Sequence, residues 1–483
     1  VEYARRRYSW GEVKGYLDPF VASWFELKFK GKLTPPQEYG VIPIAEGKNV
    51  LICSPTGSGK TLTAFLYIIS ELFSLARKNS LEDRIYAVYV SPLRALNNDV
   101  YKNLLVPIGE ISDLYEREKE GKIEIRVDIR TGDVPQSKRA RMLRKPPHIL
   151  ITTPESLAIV ITAPRFKRYL RGVRWVIVDE IHSLCENKRG VHLALTLERL
   201  RELAEEDFVR IGLSATINPL EEVAKYLVGY EDPEKPRSCV IVDARFEKKM
   251  DLKLVCPVSD LIRTSAEETS RKLYEYLAKV VSRHKTTLIF TNTRSGAERV
   301  AYHLKKLGVF DTESLGAHHS SLSREVRLEV EEKLKQGKMR GVVTSTSLEL
   351  GIDIGHIDVV IQVGSPKGIN RGLQRVGRAG HSLERISKGI FIGLDTDDLL
   401  EDAALIREVK RGCLDKIHIP SNCLDVLAQH IVGMAIERKW KAEEAFRVIR
   451  RSYPFRSLSW DDFLSVLRYL SGNLPNLCLL YTS

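Results

Sequence analysis

A glycine-rich segment, SPTGSGKT at 54–61, carries the residue types that bind phosphate. It follows the apolar run NVLIC directly and precedes a segment with helical periodicity, which is the setting that a phosphate-binding loop requires. Gly57 and Gly59 let successive backbone N–H groups turn toward one anion, and the start of the following helix adds its positive end. Lys60 would bridge the β- and γ-phosphates of a nucleotide, and Thr61 would place its hydroxyl on Mg²⁺. We therefore predict a site for ATP and Mg²⁺ with contacts from Thr56, Gly57, Ser58, Gly59, Lys60 and Thr61.

Two carboxylates end a later apolar run, VRWVIVDEIH at 173–182. An Asp-Glu pair taken alone is as often no more than a solvated strand end. Combined with a phosphate-binding loop, the pair predicts hydrolysis: Asp179 would hold Mg²⁺ through water, and Glu180 would accept a proton from the attacking water. We interpret His182 as a relay between the γ-phosphate region and a second folded unit.

Two arginines in QRVGRAGH (374–381) could complete this site from elsewhere in the chain. The negative charge that develops on a transferred phosphoryl group needs cations from outside the loop. Arg375 and Arg378 are three residues apart, so on a helix they would share one face. We expect both, with Gln374 beside them, to reach a γ-phosphate between two domains. Solvated surface arginines are the alternative for this segment alone.

The periodicity of the chain indicates the fold that positions these groups. Short apolar runs alternate with longer helical segments, which is typical of parallel sheets with crossover helices. The first set of runs is NVLIC (49–53), AVYVS (87–91), HILITT (148–153), VRWVIVD (173–179) and VRIGLS (209–214). The second set is TTLIFT (286–291), MRGVVTS (339–345), IDVVIQV (357–363) and KGIFIG (388–393). Beyond Pro420 the runs stop, and apolar residues at helical spacing predict a small helical module.

Composition and charge narrow the class of protein. A chain of 483 residues is long enough for about three domains. No apolar run approaches the roughly 20 residues that cross a bilayer, so we expect an intracellular, cytoplasmic protein without a membrane partner. The seven cysteines include no C-x-x-C pair, which predicts free thiols rather than an iron–sulfur cluster. The net charge of +12 favours a polyanionic partner, because each Lys or Arg on a phosphate releases counterions.

Ten short motifs follow one another along nearly the whole chain: LTPPQ (33–37), SPTGSGKT (54–61), SPLRAL (91–96), RTGD (130–133), TTPESL (152–157), DEIH (179–182), SAT (214–216), FTNTR (290–294), TSTSLELGID (344–353) and QRVGRAGH (374–381). In these motifs the chain resembles superfamily 2 helicases, and most closely the large helicase-related (Lhr) proteins of bacteria and archaea. The resemblance implies an α/β fold with two tandem RecA-like domains on parallel sheets, followed by a partial winged-helix domain. The expected boundaries are 1–245 for the domain with the P-loop and DEIH box, 246–415 for the domain with the arginine fingers, 416–473 for a truncated winged-helix domain and 474–483 for a non-native tail.

The resemblance also implies roles for individual residues. Gln37 resembles the glutamine that reads the adenine edge with both amide groups, and Asp353 resembles the carboxylate that faces the ribose and the catalytic site. Ser214 and Thr216 resemble the motif that couples hydrolysis to domain movement. The residues that resemble the family's contacts to the nucleic-acid backbone are Arg94, Thr131, Thr153, Pro154, Asn292, Arg294, Thr344 and Thr346. Their hydroxyl, amide and guanidinium groups suit contacts that ignore base identity.

We expect an ATP-dependent helicase or translocase that moves 3′ to 5′ on single-stranded DNA, unwinds DNA or RNA–DNA duplexes and serves DNA repair or recombination. DEIH in place of DEAD, and His381 where DEAD-box RNA helicases carry another arginine, favour a DNA translocase. Two alternatives stay open: an RNA helicase acting on structured RNA, and an ATP-driven motor or strand-annealing scaffold that does not separate strands. A nucleotide-dependent binding protein without hydrolysis is disfavoured, because Lys60, Glu180 and both arginines are present.

Overall fold

The structure is a computed structural model that describes residues 1–55, 57–92, 94–118, 121–215, 217–244, 249–308, 311, 313–349, 354–380 and 386–472. The strands are β1 (Glu2–Tyr3), β2 (Val50–Cys53), β3 (Ala87–Val90), β4 (Val127–Arg130), β5 (Ile149–Thr152), β6 (Trp175–Val178), β7 (Val209–Ser214), β8 (Tyr230–Asp232), β9 (Lys235–Pro236), β10 (Val240–Asp243), β11 (Met250–Val255), β12 (Thr287–Phe290), β13 (Leu315–His318), β14 (Gly341–Thr344), β15 (Val359–Val363) and β16 (Ser387–Ile392).

The helices of the first part of the chain are α1 (Trp10–Lys14), α2 (Pro19–Phe29), α3 (Pro35–Ala45), α4 (Lys60–Arg77), α5 (Arg94–Glu118), α6 (Gln136–Arg144), α7 (Pro154–Thr162), α8 (Lys167–Leu170), α9 (His182–Cys185), α10 (Lys188–Leu203) and α11 (Leu220–Val228). Those of the remainder are α12 (Ala266–Arg283), α13 (Arg294–Lys306), α14 (Arg324–Lys335), α15 (Ile369–Val376), α16 (Thr396–Lys410), α17 (Leu424–Glu437), α18 (Ala442–Arg450) and α19 (Trp460–Leu470), with a short 3₁₀ helix at Tyr453–Phe455.

The first sheet has eight strands in the order β1-β10-β2-β7-β6-β3-β5-β4, and all neighbouring pairs run parallel. Every side chain of β2, β3, β5 and β6 is buried, because helices cover both faces of the sheet. Strands of this kind appear in a sequence as continuous apolar runs. The five runs predicted for this part of the chain are confirmed as strands.

The order of these strands brings the motif-bearing loops together. β7 lies between β2 and β6, and β3 lies on the other side of β6. Since the carboxyl ends of parallel strands meet at one edge of a sheet, the loops after β2, β6 and β7 are neighbours. These are the loops that carry SPTGSGKT, DEIH and the end of SAT.

The second sheet has six strands in the order β11-β16-β15-β12-β14-β13, again all parallel. The four runs predicted here are confirmed as β12, β14, β15 and β16. The sequence did not reveal β11 and β13, which form the two edges of this sheet and are partly exposed. Two parallel sheets with crossover helices are the predicted pair of RecA-like domains.

The third part of the chain packs on the first domain. Helix α17 lies against α7 and α10, and Val191 and Leu195 of α10 share a buried core with Leu427, Ile449 and Phe463. The predicted helical module is confirmed, and in the described part of the chain no strand follows β16. Among the helices of the described ranges, none combines the length and the apolar character needed to cross a membrane.

Candidate nucleotide site and interdomain cleft

The loop between β2 and α4 has the backbone that the glycine pattern predicts. Gly57 and Gly59 have φ angles of 78° and 83°, in the left-handed region that favours glycine. A Cβ atom at Gly59 would lie 3.0 Å from Oγ1 of Thr34 and 3.3 Å from Nε2 of Gln37, so the loop also needs glycine there for space. Lys60 begins α4, and its ammonium donates to the carbonyls of Ser54 (3.3 Å) and Ser214 (3.4 Å). The cation of this loop therefore lies between the ends of β2 and β7.

Gln37 lies beside this loop at the start of α3. Its side chain is buried, and its Oε1 accepts the backbone N–H of Thr34 at 2.9 Å in a capping box. Its Nε2 faces Gly59, as the distance above indicates. The structure thus places Gln37 against the P-loop, with the carboxamide oxygen already engaged by the helix start.

Asp179 and Glu180 follow β6 and are both buried. The Tyr89 hydroxyl of β3 donates to Oδ2 of Asp179, and the backbone N–H of Glu180 donates to Oδ1 at 2.7 Å. Burial, followed by the charge of Glu180, raises the pKa of Asp179 to about 6, although Lys60 works in the opposite direction. The two hydrogen bonds hold this carboxylate in one orientation. Burial and the neighbouring Glu180 disfavour its ionised form, and a bound cation would stabilise that form.

His182 is neutral and its tautomer is fixed by the backbone. The N–H of Ala215 donates to its Nδ1 at 3.2 Å, so the ring proton is on Nε2. Nε2 lies 3.3 Å from Oε2 of Glu180, a close contact without hydrogen-bond geometry. Burial lowers the pKa of His182 to about 4. His182 thus joins the end of β6 to the end of β7, and it also lines the cleft between the domains.

The two arginines of QRVGRAGH occupy different positions. Helix α15 ends at Val376 with Gly377 as its C-cap, so Arg378 lies in the turn beyond the helix. The prediction that both arginines share one helical face is therefore wrong. Arg378 is buried, and burial lowers the pKa of its guanidinium, whereas the charge of Glu180 raises it. Arg378 of the second domain thus lies within electrostatic range of the proposed base of the first.

Arg375 points into the second domain. Its Nε and Nη2 donate to Oε2 of Glu349 at 3.1 and 2.9 Å, and its Nη1 donates to Oε1 of Gln362 at 2.6 Å. Its guanidinium also lies over the ring of Phe290, 5.0 Å from the centroid. Gln374 instead lines the cleft between the domains. Glu180 acts electrostatically on the guanidinium of Arg378, whereas the described contacts of Arg375 lie within the second domain.

A cleft of about 1300 Å³ separates the two domains. Its lining includes Thr131 of the first domain and Thr346 of the second. The structure therefore brings together two residues that were predicted to contact the nucleic-acid strand. Thr344 lies beneath the second of these, with its Oγ1 3.1 Å from Oγ of Ser347, another lining residue.

The other residues predicted to contact the nucleic-acid strand cap a helix or bond to neighbouring protein groups in this structure. Thr153 caps α7 by accepting the N–H of Ser156 at 3.3 Å, and Pro154 is the first residue of that helix. Asn292 donates to the carbonyl of Ser365 at 2.8 Å. Arg294 donates to Oγ of Ser321 at 2.9 Å and is exposed. Thr56, Thr216, Asp353, His381, the tail at 474–483 and the side chain of Arg94 lie outside the described residues.

Two residues of the site were missed by the sequence reasoning. Tyr89 orients Asp179 across neighbouring strands, since β3 and β6 pair in parallel. The sequence feature that could have revealed Tyr89 is its hydroxyl, the one polar side-chain group within the otherwise apolar run AVYV. Glu349 belongs to the quoted motif TSTSLELGID, yet no spacing rule pairs it with Arg375, 26 residues further along the chain.

Three family models match the chain in this order: DEAD/DEAH box helicase at residues 34–223, helicase conserved C-terminal domain at 269–382, and the winged helix domain of large helicase-related protein at 407–476. The ATP-dependent helicase Lhr-Core of Methanocaldococcus jannaschii is 57% identical over 474 residues, which are 98% of this chain and 55% of that protein. The ATP-dependent helicase Lhr-Core protein 2 of Thermococcus barophilus is 56% identical over 99% of this chain and 55% of its own length.

A solved structure of the Mycobacterium smegmatis helicase Lhr bound to ssDNA and AMP-PNP superposes with a TM-score of 0.85 at 39% identity. It covers 94% of this chain and 58% of that one. The chain therefore spans about half the length of the curated relatives that it matches.

Two RecA-like domains that carry a P-loop, a DEIH box and a facing arginine define a superfamily 2 helicase core. The winged-helix match and the relatives narrow this class further. The chain belongs to the large helicase-related (Lhr) family.

Proposed function

We propose that this chain hydrolyses ATP with Mg²⁺ and uses the hydrolysis to move 3′ to 5′ along single-stranded DNA, displacing DNA or RNA paired to it. The observation that carries the proposal is that two domains meet at this site: His182 of the first and Gln374 of the second line one cleft, and the buried Arg378 of the second lies within electrostatic range of Glu180. A site completed by two domains ties hydrolysis to their relative movement. A role in DNA repair or recombination stays a prediction.

The residues fit a magnesium nucleotide. Asp179 is a buried carboxylate with a raised pKa, and a divalent cation would stabilise its ionised form, while Thr61 offers a hydroxyl in the first turn of α4. When bound, Mg²⁺ would neutralise charge on the phosphates. Lys60, the first residue of α4, would bind the phosphates.

Proton transfer is assigned to Glu180. Its Oε2 lies 3.3 Å from Nε2 of His182, so the imidazole borders the carboxylate that would accept a proton from water. Arg378 then supplies positive charge where negative charge develops on the transferred group. The proton acceptor and this cation come from different domains, so closure assembles the reactive arrangement.

The cleft suits a nucleic-acid backbone. Thr131 and Thr346 offer hydroxyls from opposite domains, and the described lining also carries four Lys or Arg side chains, Lys138 and Arg371 among them, beside five carboxylates. Such groups bind phosphate and sugar without reading bases, as a motor on any sequence requires. The DNA assignment is supported by the similar Mycobacterium smegmatis protein, which was bound to ssDNA.

The test is displacement of labelled strands from DNA, RNA–DNA and RNA duplexes with 3′ or 5′ tails, alongside ATP hydrolysis. Glu180→Gln should lower kcat for ATP by about 10² to 10⁴ and keep nucleotide binding, because a general base contributes that factor. Glu124→Gln, in an exposed pair with Lys145, is the matched control and should behave as wild type.

The outcomes separate the candidates. Displacement of 3′-tailed DNA and hybrid substrates that Glu180→Gln abolishes is the expected result. Displacement confined to 5′-tailed substrates would contradict the polarity, and displacement of RNA duplexes alone would favour the RNA helicase. Strand-stimulated hydrolysis without displacement would favour the motor that does not separate strands.

A further inference from the structure

Glu349 contacts all three arginines of the segment that faces the nucleotide site. Its Oε2 accepts from Nε and Nη2 of Arg375 at 3.1 and 2.9 Å, and its Oε1 lies 3.5 Å from Nε of Arg371. Its backbone carbonyl accepts from Nε and Nη2 of Arg378 at 3.2 and 3.0 Å. One residue, in the loop that follows β14, therefore holds three cations of a different segment.

The pair with Arg375 is a buried one. Arg375 is 1% exposed and the Glu349 side chain 12% exposed. A buried guanidinium needs a carboxylate and hydrogen-bond acceptors around it, and Gln362 supplies the acceptor on the other side. The ring of Phe290 covers the face of the guanidinium, so Arg375 is held by a carboxylate, an amide oxygen and an aromatic ring. Arg375 therefore fixes the direction of α15 within the second domain.

We propose that Glu349 is the positioning residue for the arginine side of the ATP site. Its carboxylate fixes α15 through Arg375, and its carbonyl holds the guanidinium of Arg378. Glu349 acts only through the arginines and takes no direct part in the reaction. The inference rests on the proposed function, since it assigns Arg378 to the hydrolysis of ATP.

The same turn lines the cleft proposed for the nucleic-acid strand. The N–H of Glu349 donates to the carbonyl of Thr346 at 3.1 Å, and Thr346 lines the cleft. Between them, Ser347 bonds to His318, with its Oγ 2.7 Å from Nδ1. A nucleic-acid strand that contacts Thr346 would therefore fix the turn from Thr346 to Glu349, and Glu349 at the end of this turn holds the arginines. Glu349 is placed to make hydrolysis respond to the strand.

The test compares Glu349→Gln with wild type in steady-state ATP hydrolysis, with and without single-stranded DNA. The amide keeps the shape of the side chain but removes the charge that holds Arg375. Strand-stimulated kcat should fall roughly tenfold or more, because small misplacements of a reacting group cost up to about 10²-fold. KM for ATP should change by less than about threefold, since the P-loop contacts are untouched. Glu329→Gln, in an exposed pair with Lys333 on α14, is the matched control.

A double-mutant cycle separates positioning from a general loss of structure. Glu349→Gln, Arg375→Gln and the double variant should lower kcat by the same factor, because Glu349 acts through Arg375. Multiplied effects in the double variant would overturn the proposal. If Glu349→Gln does not fold, as circular dichroism would report, Glu349→Asp takes its place: the carboxylate stays but is drawn back by one methylene. Its kcat should fall less than tenfold with KM unchanged, and a wild-type kcat in that variant would overturn the proposal.

Different results would reject the proposed function and the role of Glu349. Wild-type protein without strand-stimulated hydrolysis would reject the proposed function itself. Active wild-type protein with an unchanged kcat in folded Glu349→Gln would reject only the role of Glu349.

Discussion

Lowering the pH should loosen the helical module from the first domain, because the buried His430 and the partly buried His192 join them through a hydrogen bond. His430 of α17 is 1% exposed, and its Nδ1 lies 3.1 Å from Nη1 of Arg199, which can only donate. Its proton is therefore on Nε2, which donates to Nδ1 of His192 at 2.8 Å. A second proton would point at the guanidinium of Arg199. Burial, then the charges of His192 and Arg199, hold the pKa of His430 well below the ordinary 6.5, and burial lowers the pKa of His192.

The sign and size of the effect follow from these depressed pKa values. The undocked state takes up protons first, so docking is stable above the ordinary value of 6.5 and is lost as the pH falls below it. Each pH unit below 6.5 costs about 1.4 kcal/mol for a histidine that stays neutral while docked. Glu437, which bonds to Arg199, works in the opposite direction because burial raises its pKa, and the charge of Glu155 favours protonation of His192. The free energy of docking should therefore change with pH as expected for one or two histidines, reduced by the opposite effect of these carboxylates.

Hydrogen exchange at the amides of α17 measures the effect locally, once corrected for the intrinsic rate at each pH. The opening free energy should fall between about pH 6.5 and about pH 5. His430→Gln keeps an acceptor for Arg199 and a donor for His192 but does not titrate, so the slope should flatten by about 1.4 kcal/mol per unit. His284→Gln in the second domain is the control. An unchanged slope in His430→Gln, or stronger protection in acid, would refute the reasoning.

Three further perturbations test the site and the packing. Tyr89→Phe removes the hydroxyl that donates to Asp179, so a nucleotide analogue should need more Mg²⁺ for half-maximal binding, by up to about tenfold, as the loss of one charge-assisted hydrogen bond implies. Gly59→Ala places a Cβ atom 3.0 Å from Oγ1 of Thr34 at a φ of 83°, and should weaken nucleotide binding measured by fluorescence titration. Phe463→Ala opens a cavity in the core shared with α10 and should cost about 3 to 5 kcal/mol in protection of α19, with kcat for ATP retained.

Each of these predictions has a contradicting result. An unchanged Mg²⁺ requirement in Tyr89→Phe would mean that the hydroxyl does not orient Asp179. Full nucleotide affinity in Gly59→Ala would show that the loop can move away from Thr34. Loss of kcat in Phe463→Ala would tie the module to hydrolysis rather than to the surface of the first domain alone.

The local parts of the fold were predictable because their signals are local. Runs such as VLIC and WVIV are buried on both faces, so they are apolar throughout and stand out against the helices around them. The edge strands β1, β4, β11 and β13 were not predicted, because an edge strand carries polar and exposed residues among apolar ones. β10 lies inside the first sheet, but it was not predicted either, because its short run VIVD lies in a segment that mixes polar and apolar residues.

The backbone of the loop between β2 and α4 was predictable from the residues alone, since Gly57 and Gly59 adopt the left-handed φ angles of such a loop and Lys60 begins the helix that follows. The spacing of Arg375 and Arg378 predicted that the two guanidinium groups would act together, whereas in the folded protein they have different partners. Helix α15 ends at Val376, so Arg378 lies in the turn beyond it and donates to the carbonyl of Glu349, while Arg375 is held by the Glu349 carboxylate. The reason is physical: a buried charge must find its partner in space, and chain spacing does not encode a partner that arrives from another loop.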